Sequence, residues 1–171
     1  AFKTKGGRIV YDGAGIMPDI KTKDQKYSDV LLSLISKYHV FNYATQFTLK
    51  TKETINLSSF RLSDADYNDF VNYLKDKEYS YKSSEEIGLE DFKKELEERG
   101  DYKGIKTEFD LLLDKIKANK KDDLIRHKNE IRKYLEEEIV SRYYFQKGRI
   151  EFSLAHDEEI AESLKLLKEP T

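Results

Sequence analysis

A chain of 171 residues with 31 basic and 33 acidic side chains, a formal charge of -2 and no cysteine sets up no strong field of either sign. Nucleic-acid or anionic-membrane binding therefore has no bulk electrostatic support, and disulfides, thiol catalysis and cysteine-held zinc are excluded. Only 38% of residues are hydrophobic and 37% are charged, which suits elongated or loosely packed helices, while 12 Tyr and 9 Phe supply buriable area that argues against disorder. A chain near this length buries roughly 70% of its unfolded surface, so a real core is possible. No apolar run approaches the ~18 residues of a membrane span.

In chain order, residues 2–20 read first as β-like: two short extended runs flank Gly6-Gly7, where positive φ permits a tight hairpin turn, and Asp12-Gly13 with Gly15 makes a second turn before Pro18-Asp19. A lone hairpin is marginal in water, so this one is expected to complete the sheet of a larger domain upstream. Residues 28–39 read as a helix capped by Ser28, with Leu31, Leu34, Ile35 and Tyr38 on one face. Residues 40–62 show no clear period in Tyr43, Phe47, Leu49 and Ile55 and are expected to be irregular with at most one helical turn. A second helix, 64–76, opens on a capping box of Ser63 and Asp66 and turns Tyr67, Phe70, Val71 and Leu74 inward.

Beyond a linker from Glu78 to Lys82, a third helix is predicted over 85–99, capped by Ser84, striped by Leu89, Phe92 and Leu96 and stopped by Gly100. A fourth, 104–118, would bury Ile105, Phe109, Leu112 and Ile116. A fifth, 122–147, would start near Asn119 or Asp122, present a face of Leu124, Ile131, Leu135, Ile139 and Arg142 or Tyr143, and end at Gly148. Ile150, Phe152 and Leu154 alternate as in a short extended stretch, and 157–168 reads as a last helix with Ile160, Leu164 and Leu167 inward. The fold class is thus mainly α: an N-terminal β-hairpin, residues 1–20, followed by a helical, bundle-like extension, residues 21–171, in which helices three to five pack antiparallel.

Candidate chemistry is sparse. His39, His127 and His156 lack metal-ligand spacing, and no metal or cofactor is expected. Glu136, Glu137 and Glu138 form an acidic run whose last member stands four residues before Arg142, the favourable order for a helix ion pair. Arg142-Tyr143-Tyr144-Phe145 mixes basic and aromatic groups in a way that suits a helix end packed on a neighbour, with Arg stacked on a ring. Lys120-Lys121-Asp122-Asp123 reads as a solvated joint. Ser58-Ser59, Ser83-Ser84 and Ser153 lack a nucleophile elbow and read as caps and turns, and no dinucleotide or phosphate-loop fingerprint follows Gly13 and Gly15.

Gly7-Arg8-Ile9-Val10-Tyr11 followed by Gly13-Ala14-Gly15-Ile16-Met17-Pro18-Asp19 resembles, in order and spacing, the end of the catalytic domain of the C-terminal processing, or tail-specific, serine proteases. Ala14 stands where such members often carry glycine. The run from Ile139 to Phe152 is similar to the helical extensions of the longer members. The resemblance implies a Ser-Lys dyad and a PDZ domain that selects protein C-termini, all upstream of this segment, so no serine or lysine here inherits a catalytic role. It further implies an exported chain in the cell envelope or periplasm. The partners would be the protease core and PDZ domain of the same chain, protein or peptide substrates, and a possible second copy. The other reading of the residues is a non-enzymatic helical adaptor that happens to carry a hairpin.

Overall fold

The computed structural model describes all residues except 8, 12, 14–19, 21, 23–25, 52 and 169–171, and leaves out the side chain of residue 121. The chain is mainly α. Two strands, β1 (Phe2–Lys3) and β2 (Ile9–Val10), pair antiparallel with Phe2 opposite Val10 and Lys3 opposite Ile9. Gly7 turns the ribbon at φ 81°, its amide donating to the Thr4 carbonyl at 2.9 Å, as the Gly-Gly pair predicts. The segment Ala14 to Asp19, which carries most of the resemblance, lies outside the described residues.

Among the described residues eight α-helices follow: α1 (Asp29–Ser36), α2 (His39–Lys50), α3 (Asp64–Tyr73), α4 (Ser84–Arg99), α5 (Tyr102–Asn119), α6 (Asp123–Arg126), α7 (Lys128–Leu154) and α8 (Glu158–Lys168). Ser28 caps α1 as expected. The capping box of Ser63 and Asp66 forms at α3. The cap of α4 is Ser83, one residue earlier than predicted, because Glu86 sits at the third helical position and closes a box with it. Gly100 ends α4 at φ 80°.

Three expectations are corrected. Residues 40–62 are not irregular throughout, since α2 occupies most of their first half. Its inward stripe is Val40, Tyr43, Ala44 and the partly buried Phe47, spaced as on one helical face. Residues 150–154 are helical, not extended, so Phe152 is buried whereas Ile150 and Leu154 are exposed. Helices three to five do not form one bundle: α4 pairs with α5, while α7 lies against α2.

The core gathers Val30, Leu31 and Leu34 of α1, the α2 stripe, Leu62, Tyr67 and Phe70 of α3 with Leu74 after it, Leu124 of α6, and Ile131, Leu135 and Ile139 of α7. Aromatic rings fill its centre. Tyr43 meets Phe70 edge-on at 5.0 Å between centroids, and Tyr73 stacks on Phe70 at 6.3 Å. The two buried phenols stay satisfied: Tyr43 donates to the Asp66 carbonyl at 2.9 Å and Tyr67 to the Leu124 carbonyl at 2.6 Å. Burial pushes the Tyr43 hydroxyl up to about 12 and that of Tyr67 higher still.

The α4–α5 hairpin leaves this core at a polar base. Lys120 donates to Glu86 at 2.7 Å and to the Tyr81 carbonyl, and Tyr81 donates to Asp123. The run Lys120-Lys121-Asp122-Asp123 is therefore more than a solvated joint, because Asp123 is buried. Burial alone would raise the Glu86 carboxyl, but Lys120 and the Ser83 amide hold it below its ordinary value. Along the hairpin Leu96 and Phe109 are buried, but Ile105 and Leu112, predicted inward, are not.

Phe70 is fully buried against three aromatic neighbours, so Phe70→Ala is expected to destabilise the chain by about 4 kcal/mol, read by chemical denaturation. A loss under about 1 kcal/mol would mean that the ring cluster is not the centre of the core.

Candidate functional site

A set of charged groups forms where α7 reverses. Arg149 bonds Glu138 at 2.8 Å and approaches Glu137 at 3.7 Å, with its guanidinium 5.6 Å from the Tyr134 ring centroid. In a straight helix, groups eleven or twelve residues apart are separated by about 17 Å. The helix is broken at Phe145, whose φ of 55° and ψ of -162° are non-helical, and the far limb folds back on the near one. Helix-stop preferences point to Gly148 instead. That glycine serves the closure of the limbs, not the stop. A Cβ built on it would lie 2.1 Å from the Tyr144 Cβ, so the limbs meet only over a bare Cα.

The near limb is tied to α2 by Arg142. It bonds Glu138 at 3.3 Å, donates to the Phe41 carbonyl at 3.2 Å and to Thr45 Oγ1 at 3.3 Å, and stacks 4.2 Å from the Phe41 ring centroid. The predicted Glu138–Arg142 pair and the predicted Arg-on-ring packing are both present. Tyr143 donates to the Thr51 carbonyl at 3.2 Å and Tyr144 to that of Ile55, so both phenols pin the chain that leaves α2. Phe145 faces outward, 78% exposed.

The far limb is held by a second polar set. His156 hydrogen-bonds the Phe152 carbonyl through Nδ1 at 2.7 Å, so Nδ1 carries the proton and Nε2 is free to accept from Arg61, which also lies 5.7 Å from the Phe152 ring. Lys133 donates to the His156 carbonyl at 3.2 Å. Glu136 accepts the Leu62 amide at 2.8 Å, and burial raises its carboxyl despite Arg61, Arg132 and His156 nearby. Burial also raises Glu137, against the pull of Arg149 and Lys133.

The remaining candidates are dispersed. His39 faces the Glu78 carbonyl at 2.9 Å, and His127 lies 3.6 Å from Glu130. Among the described residues no three His, Asp or Glu side chains are grouped to hold a metal ion. The Ser58 and Ser59 amides turn on Asn56, Ser83 caps α4, the Ser84 hydroxyl meets Asp29 and that of Ser153 donates to the Ile150 carbonyl at 2.9 Å. An open groove of about 510 Å³ beside α1 is lined by Asp29, Leu32, Ser33, Lys37, Tyr81 and Lys82. Sequence reasoning missed Arg61, Tyr134 and Arg149. Their spacing from Glu136 to Glu138 fits no helical period, and only the reversal brings them together.

What this arrangement does is mechanical: ion pairs and stacked rings fix two limbs of one helix and clamp them to α2. Two substitutions probe it. Gly148→Ala should cost about 2 kcal/mol through overpacking, where an exposed helical glycine would gain about 1 kcal/mol. Phe145→Gly should leave the melting temperature unchanged or higher, because the residue already occupies glycine-type backbone space. Opposite outcomes would refute the reversal. The pH response follows from Glu136. Its raised carboxyl binds protons more tightly in the folded state, so stability falls as pH rises from the ordinary value of 4.5 through the raised one, and stays lost at neutral pH. Glu136→Gln keeps an acceptor for the Leu62 amide without the charge. Its melting temperature should match or exceed the parent's at neutral pH, and the gain should vanish below the ordinary carboxylate value.

The hairpin and the eight helices also differ in what they match. A family model described as the C-terminal helical domain of a probable PDZ-protease covers residues 30–167, from the second residue of α1 to the penultimate residue of α8, and leaves the hairpin outside. No curated protein and no solved structure matches the chain. With a match of that extent, the chain belongs to the family described as the C-terminal helical domain of probable PDZ-proteases.

Proposed function

We propose that this helical domain is carried by a serine endopeptidase of the C-terminal processing, Ser-Lys type and serves it as a structural extension, contributing no catalytic group. The hairpin of residues 1–20 then completes the sheet of the protease core, and the domain boundary falls before α1. The helices form a platform against the core, an oligomer contact or a guide for protein substrates. In this reading the whole protein is exported to the cell envelope or periplasm.

The observation that carries the reading is the state of the hairpin. Phe2 is 61% exposed and Tyr11 75%, and Ile9 and Val10 are also exposed, in a ribbon of two residues per strand whose strands pair with each other and, among the described residues, with no further strand. Such a ribbon gains too little burial to offset its ordering entropy. A neighbouring sheet would cover its apolar side and pair its open edges. The membership of residues 30–167 in a PDZ-protease domain family supplies the protease context. No helix among the described residues is long and apolar enough to cross a membrane.

Hydrogen exchange tests the reading. In the 171-residue chain the amides of residues 2–11 should exchange without protection while those of α2 and α7 are protected. In a chain extended upstream through the PDZ and protease domains, residues 2–11 should become protected. Fast exchange in both would remove the hairpin from the core sheet and favour a free-standing helical adaptor.

A further inference from the structure

The α4–α5 hairpin has a wider apolar stripe than its own seam covers. Leu96 and Phe109 fill the seam. Phe92 stands three residues after Leu89 and four before Leu96. Ile105 and Leu112 stand four before and three after Phe109. These spacings place all three beside the seam on one side of the hairpin. They are 44%, 37% and 48% exposed. Gly88, one helical turn before Phe92, has open space over its Cα. A glycine inside a helix costs about 1 kcal/mol relative to alanine, and among the described residues nothing packs there to offset it.

The two helices also differ in charge. Seven acidic and three basic side chains lie on α4, against three acidic and four basic on α5. If two such hairpins met face to face, α4 on α4 would bring two strongly acidic surfaces together. A two-fold arrangement with each α4 on the other copy's α5 sets the acidic helix against a nearly neutral one twice, avoiding that repulsion, and lays the Phe92 row against the Ile105–Leu112 row.

We propose that this side of the α4–α5 hairpin is a self-association surface on which a second copy of the chain docks, each α4 against its partner's α5, as a four-helix bundle. The 16 and 18 residues of the helices give lengths of about 24–27 Å, and two helices side by side span about 20 Å. Such a face buries about 500 Å² per copy and about 1,000 Å² in all, the lower edge of a specific interface. The dimer is therefore weak and forms with concentration. The inference deepens the structural role proposed above, and its failure leaves the exchange test of residues 2–11 untouched.

Sedimentation velocity on the chain, from low to high micromolar concentration, is the test. The expected result is a monomer–dimer equilibrium that weakens as salt is raised. Leu112→Lys should weaken it by about 10-fold or more, with unchanged circular dichroism because the site is exposed. The chain has no cysteine, so a mixture of Phe92→Cys and Leu112→Cys chains should cross-link preferentially into the mixed dimer. A monomer at every concentration, or a dimer indifferent to Leu112→Lys, would overturn the inference. So would residues 88–112 becoming protected only when the protease core is attached, which would assign the surface to that core.

Discussion

The seam between α2 and α7 is the contact on which the rest of this domain depends. The seam joins parts of the chain about a hundred residues apart. Closing so long a loop costs entropy that only well-packed apolar surface offsets. The fully buried Leu135 and Ile139 supply that surface on the α7 side, and Val40, Tyr43 and Ala44 on the other. Arg142 then fixes the register through its contacts to Phe41 and Thr45 on α2.

A chain so rich in charge has apolar surface for one core only, and the distribution of the rest follows. The α4–α5 hairpin and α8 lie outside it and present half-covered stripes. Two buried carboxylates of the interior are matched. Glu86 meets Lys120 and a cap amide, and Glu136 meets the Leu62 amide. This pairing keeps the cost of burying carboxylates tolerable.

The elements legible in the sequence are those with a strong cap and a 3.6-residue stripe. Ser28, the Ser63–Asp66 box and Gly100 all mark real ends. α2 is obscured because it has neither a capping side chain nor a good helix-forming composition. Its N-cap is Tyr38 in the left-handed region at φ 59°, and Asn and Thr interrupt the stripe. The run 150–154 misleads because its apolar residues alternate; their true spacing is the four-residue step from Gly148 to Phe152. The clasp is half legible. Glu138 with Arg142 lies at helical spacing, but Arg149 reaches back through a reversal at a phenylalanine, a residue type that backbone preferences would never nominate for positive φ. The inward assignments of Ile105, Leu112, Leu164 and Leu167 fail for another reason: periodicity identifies an apolar face without saying whether anything covers it.

The fold-back at Phe145 divides the domain into parts with unequal resistance to ionic conditions. Beyond that residue only one large apolar side chain, Phe152, is buried among those described. The rest of the terminal limb is moored by Arg149, Lys133, His156 and Arg61. Mobile ions weaken partly hydrated charge pairs far more than they weaken hydrocarbon packing. In concentrated brine residues 146–168 would thus lift away as a unit, leaving the aromatic interior shut.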